Sequence, residues 1–190
     1  MHTSALSPWE SFYVIVGSSA GALTGLQFVV MALIADTRRR PSLTQIGAFS
    51  TPNILHFCAV LLLSAVLSAP WTDLTGVALI VGAVGAVGIG YVGIVFSRTR
   101  RQRDYTPVFE DWLWHVALPL GAYVLLLISS FMLAAQSTVA LFIIGATSLI
   151  LMFAGIHNAW DTVTFIVTDT SGRKTDTPSG QPQQDEIQPG

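Results

Sequence analysis

Charge is the scarcest ingredient of this 190-residue chain: 9 Lys and Arg with 11 Asp and Glu make up 11% of it, against about 25% in a soluble domain. Apolar residues take its place, at 52% of the chain and a mean hydropathy of +0.60. An aqueous globule is excluded on that balance, and lipid is the natural solvent. Cysteine is nearly absent as well. The one thiol, Cys58, excludes an intrachain disulfide, and its apolar neighbours make it a small core or lipid-facing residue. The net charge of −2 hides a strong asymmetry in where the cations fall and so says nothing of nucleic acid or acidic partners; no nucleic-acid partner is expected. Catalytic signatures are missing too: there is no P-loop and no G-x-S-x-G, and "GAVGIG" (85–90) lies inside an apolar run instead of following a strand. A non-enzymatic protein is expected.

What is present is a set of five apolar stretches, at about residues 11–35, 52–69, 72–96, 112–134 and 138–160. Each is near the roughly 20 residues a helix needs to cross hydrocarbon. The runs are continuous rather than alternating, which excludes a β-barrel, and helices alone satisfy their backbone within one segment. The expected fold class is therefore all-α, a polytopic transmembrane bundle of five helices in the lipid bilayer. The amino-terminal "MHTSALSPWE" has no Lys or Arg and leads into a run too long for a signal-peptide core, so the first span is expected in the mature protein.

The cations set the orientation. Arg38, Arg39 and Arg40 lie between spans one and two, Arg98, Arg100, Arg101 and Arg103 between spans three and four, and Arg173 and Lys174 after span five. The links "SAPWTD" and "AAQST" have none. The positive-inside rule then places the amino terminus outside and the carboxyl terminus in the cytoplasm. Tryptophans prefer the headgroup level. Trp9 and Trp71 fall at the expected outer ends, and Trp112, Trp114 and Trp160 at the inner ends. From Thr168 the chain reads "TDTSGRKTDTPSGQPQQDEIQPG", too polar to offset the entropy of ordering. Residues 1–168 are expected as the membrane domain and 169–190 as a disordered cytoplasmic tail.

Small residues recur at helical spacing. Gly17, Gly21 and Gly25 share one face of span one; Gly82, Ala86 and Gly90 share one face of span three, with Gly85 and Gly93 flanking it. Such seams let backbones approach closely in lipid, where dispersion replaces the missing hydrophobic drive. They predict either packing of spans one and three on each other or a homo-oligomer interface.

A polar layer is expected near the cytoplasmic face. Pro52 opens span two with His56 four residues on, Asp111 opens span four with His115 four on, and Asp161 closes span five with His157 four before it. At 1.5 Å per residue each imidazole lies roughly 6 Å inside its boundary. Residues four apart share a helix face. Asp111 therefore sits under His115, Asp161 under His157, and Asn53 within a turn of His56, each a partner able to orient a ring. Asn158, Gln27 and Thr24 can reach a similar level, and Pro119 removes the backbone hydrogen bond to the His115 carbonyl. Ionisable groups inside a membrane point to function. For Glu110 and Asp111 a simpler role competes, because Thr106 and Pro107 suit an N-cap and first helical turn whose dipole favours acids.

Two stretches, "SSAGALTGLQFVVMALIAD" (18–36) and "GIHNAWDTVTFIV" (155–167), resemble a group of small five-span bacterial membrane proteins of unassigned function. Their first span reads like A-x-L-T-G-L-x-F-V, and an N-A-W lies near the last. The resemblance covers the first and last spans and implies the bacterial cytoplasmic membrane; it carries over no site residue. Three readings follow. The first is an oligomeric channel or transport-like protein, without cofactor, whose Asp161, His157, His115, His56, Asp111, Asn158, Asn53 and Gln27 line an ion pathway. The second makes His56, His115 and His157 ligands of a transition metal or haem. The third is an accessory protein that binds another membrane protein.

Overall fold

A computed structural model describes residues 5–36, 43–101 and 112–172; for 33–36, 43–52, 98–101 and 165–172 it describes the backbone alone. Arg38, Arg39, Arg40, Arg103, Thr106, Pro107, Glu110, Asp111, Arg173, Lys174 and the tail from 173 lie outside the described residues.

Regular structure among the described residues is helical throughout. A 3-10 turn at Ser7–Trp9, with Pro8 inside it, leads into α1 (Glu10–Asp36). Then come α2 (Leu43–Leu67), α3 (Thr75–Arg101), a π-helical turn (Leu113–Ala117) continuing as α4 (Leu118–Met132), and α5 (Ser137–Gly172). Four segments are long and apolar enough to cross a membrane: Ser7–Ala32, Thr75–Ser97, Leu113–Met132 and Ser137–Thr164. In α2 the apolar stretch is shorter, Asn53–Leu67.

Helix boundaries differ from the apolar runs in two places. α2 begins at Leu43, so Pro52 lies within it, and α5 continues past Asp161 to Gly172. Neither Gly nor Pro interrupts "DTVTFIVTDTS", and a helix keeps its hydrogen bonds on leaving lipid; its end follows breaker residues rather than hydropathy.

The connection between α2 and α3 is tied down locally. Trp71 Nε1 donates to the Val66 carbonyl at 2.6 Å, and Asp73 Oδ1 accepts the Thr75 N–H at 2.8 Å, capping α3. That backbone donor holds the Asp73 carboxyl below the usual carboxylate range. Ahead of α4, Pro119 has no N–H for the His115 carbonyl, and the preceding turn widens: the Leu118 N–H reaches back five residues to the Leu113 carbonyl.

α2 and α5 form the antiparallel centre. α1 packs on α2 and more lightly on α5, α4 packs on α5, and α3 packs on α4. The expected mutual packing of spans one and three is therefore corrected: each has another principal partner. Gly17 faces Ser64 and Gly21 faces Leu61, both on α2, while Gly25 meets open space. On α3 the packed face is Gly82, Gly85 and Gly88. A Cβ at Gly85 would come within 2.8 Å of the Leu127 amide nitrogen, and one at Gly88 would enter the Tyr123 ring. Ala86 and Gly90 point outward. The seam is offset because the 82–85–88 face, not 82–86–90, meets α4.

Tyr13, Val60, Leu63, Leu126, Leu141, Ile144 and Leu151 fill the interior, each essentially inaccessible. The outside is as apolar as the inside: Ile15, Phe28, Leu79, Val87, Phe131, Phe142 and Phe153 are all more than half exposed. In water such a surface would drive association; against acyl chains it costs nothing.

Candidate functional site

The polar side chains inside this apolar shell fall into two groups. Most hydroxyls bond their own helix: Thr24 donates to Ala20 O, Ser129 to Leu126 O, Ser130 to Leu127 O, and Thr147 and Ser148 both to Ile144 O. Four longer groups, Gln27, Asn53, His56 and Asn158, are buried at 6%, 0%, 1% and 1% exposure, deeper than most of the apolar side chains around them.

Register brings these four together. Asn53, His56, Phe57, Val60 and Ser64 form the buried stripe of α2, and Leu151, Ala154, Gly155 and Asn158 that of α5. Phe57 lies against Gly155, so tightly that a Cβ there would be 2.6 Å from the ring. One turn away, toward the α2 start and the α5 end, antiparallel pairing sets Asn53 opposite Asn158 to within about one residue, or 1.5 Å of rise. On α1 the contacts Gly17 to Ser64 and Gly21 to Leu61, carried on by the same spacing, bring Gln27 to that level.

The two asparagines, at about one level, do not bond each other. Nδ2 and Oδ1 of Asn53 and of Asn158 are fully buried and have no hydrogen-bond partner among the described residues, as is also true of the Tyr13 hydroxyl and Ser64 Oγ. A buried polar group left unpaired costs about 1–3 kcal/mol. Two whole carboxamides in that state are the largest polar anomaly in the bundle.

The histidines have separate partners. His56 Nδ1 and the Tyr123 hydroxyl share a buried 2.9 Å hydrogen bond between α2 and α4, in which either group can donate. His115, part-buried on the π turn, is within electrostatic reach of His56. His157 Nε2 lies 3.2 Å from Asp161 Oδ2, with 27% and 48% of the two side chains exposed. The His157 ring also stacks on Trp114, centroids 4.1 Å apart and planes at 24°. Asp161 is thus half-exposed on the outside of the bundle, inside the apolar segment Ser137–Thr164. Trp112 packs edge-on against Phe96, and Trp160 is 68% exposed, pointing away from the bundle.

Among the described residues no group of three or more His, Cys, Asp or Glu side chains is arranged to hold a metal ion. His56, His115 and His157 are therefore not arranged as a three-histidine metal site. Sequence reasoning missed Tyr123 and the stacking of Trp114 on His157. A tyrosine inside an otherwise apolar span, "LGAYVLLL", is the signal that could have found the first, since a phenol in hydrocarbon needs a partner.

Chemically, the arrangement is a chain of proton donors and acceptors without a fixed internal charge. They are the half-exposed His157–Asp161 pair, the buried carboxamides of Asn53 and Asn158, and the buried His56–Tyr123 pair. Compared with family models, with curated proteins and with solved structures, the chain matches none.

Proposed function

We propose that this chain is a multi-pass protein of the bacterial cytoplasmic membrane, crossing five times with its amino terminus outside. It acts without chemistry of its own, as a channel or transport-like bundle whose polar layer, toward the cytoplasmic ends of the helices, lines an ion pathway. The observation that carries this reading is the burial of Gln27, Asn53, His56 and Asn158 inside a bundle with an apolar exterior. A protein that only anchors or packs gains nothing from burying carboxamides and an imidazole, which are costly in lipid and mark pathways when they face a bundle interior. The basic links at 37–40 and 98–103 and the absence of Lys and Arg from 68–74 and 133–136 support the orientation.

The assembly is a homo-oligomer in this reading. Ala83, Ala86, Gly90 and Gly93 form an outward stripe on α3, separate from the glycines used against α4, and a Cβ at Gly90 or Gly93 would meet nothing within 4 Å. Small outward faces of this kind allow close helix–helix contact between subunits.

Purified protein in lipid vesicles provides the test. Dissipation of an imposed pH gradient is expected in the parent, and its loss in His157→Ala and Asp161→Asn, with helix content unchanged by circular dichroism. No flux in the parent, or the same flux in both variants, would overturn the reading.

A further inference from the structure

Asn53 and Asn158 define a site that the pathway reading does not by itself assign. Each is nine-tenths buried or more, the Phe57–Gly155 contact sets them at about one level on the central α2–α5 pair, and all four of their side-chain polar atoms lack a partner among the described residues. Their failure to bond each other is informative. Facing carboxamides at one level can pair directly when the helices permit it; here the close contact of Phe57 with Gly155 fixes the helices a turn away, and the amides stay beyond bonding reach. A small bridging group with both donors and acceptors is what two such amides can satisfy.

We propose that Asn53 and Asn158 hold bound water between α2 and α5, and that this water links the half-exposed His157–Asp161 pair to the buried His56–Tyr123 pair. Water needs two to four polar partners in a polar site, and the two amides offer two donors and two acceptors. A metal cation fits less well. The amides bring no negative charge, and Asp161, one turn further along α5, is engaged with His157. A charge among neutral groups in lipid is expensive.

The groups around His56 suit a proton relay. Tyr123 bonds it from α4 and His115 is within its electrostatic reach on the π turn, while on α5 Asn158 stands near the level of Asn53, with His157 one residue before it. Imidazole, phenol and water each both donate and accept, so a proton entering at one hydrogen bond of the chain can leave at the next with no net change in the groups between. The conducted species is then the proton. That consequence rests on the pathway reading above, whereas the water site itself does not.

Water-edited solid-state NMR on the full chain in bilayers reads the site without any flux measurement. In the parent, magnetisation is expected to pass from water to the side-chain amides of Asn53 and Asn158 and to the ring of His56. In the double variant Asn53→Leu, Asn158→Leu the transfer to His56 should vanish while that to His157 persists. A parent with no transfer to either amide would overturn the proposal, and so would a folded double variant in which His56 keeps its transfer. If the double variant does not fold, the parent measurement alone decides. Amide shifts that move when sodium is exchanged for choline would assign a cation and overturn it as well. Water at the amides in a protein that carries no flux would leave this site standing and remove the pathway reading.

Discussion

His56 is held by a single hydrogen bond at its Nδ1, and the phenol that supplies it comes from a helix 67 residues away in sequence. Replacing Tyr123 by Phe keeps the ring that fits over Gly88 and removes only the hydroxyl. An imidazole nitrogen then loses its partner in the buried interior, so Tyr123→Phe should lower stability by about 1–3 kcal/mol, measured by reversible unfolding in mixed micelles. A change below about 0.5 kcal/mol, the range of an ordinary surface substitution, would mean that the bond is dispensable. The i, i+4 spacing made His157 and Asp161 neighbours on the sequence alone, because helix geometry fixes that pair wherever the helix sits. It could not find Tyr123 for His56, nor show that Asn53 and Asn158 share a level, because those relations depend on the register between helices. Asp161 drew attention at the end of an apolar run; its 48% exposure depends on which face of α5 packs against the bundle, which hydropathy does not reveal.

At the scale of the element, the glycine seams were legible as seams, yet their facing was not. Both 82–86–90 and 82–85–88 are legitimate helix faces, differing by a rotation of about 100° about the axis, and the positions of Tyr123 and Leu127 choose between them. The choice has a measurable consequence. Gly85→Ala would place a methyl 2.8 Å from the Leu127 amide nitrogen and 2.9 Å from the Tyr123 carbonyl oxygen, backbone atoms that cannot swing aside. Overpacking of that kind costs about 1–3 kcal/mol. Gly90→Leu projects into open space and should leave the monomer fold intact while shifting the protein toward monomers in crosslinking or sedimentation. Equal losses of stability in the two variants would contradict the assignment of inner and outer faces. The π turn ahead of α4 was foreshadowed by Pro119: the missing donor could be read from sequence, but not the way the backbone would redistribute its bonds.

For the whole molecule, the helical class follows from composition, because a chain with 11% charge and continuous apolar runs has few other ways to satisfy its backbone. The order in which the helices pack, with α2 and α5 central and α3 joined to the rest through α4, does not follow from composition. All five helices are similarly apolar, and the pairing is decided by which small residues accept which large ones. The polar layer belongs to this scale too, since it exists only where α1, α2 and α5 come into register with the His56–Tyr123 pair of α2 and α4. Its orientation in the membrane is the claim on which the pathway reading stands. Single cysteines in a Cys58→Ser background, one at Thr72 in the α2–α3 connection and one at Asp161, test it with a membrane-impermeant maleimide on right-side-out and inverted vesicles. Thr72→Cys is expected to label from outside only and Asp161→Cys from the cytoplasmic side only; labelling of both from the same side would contradict the account.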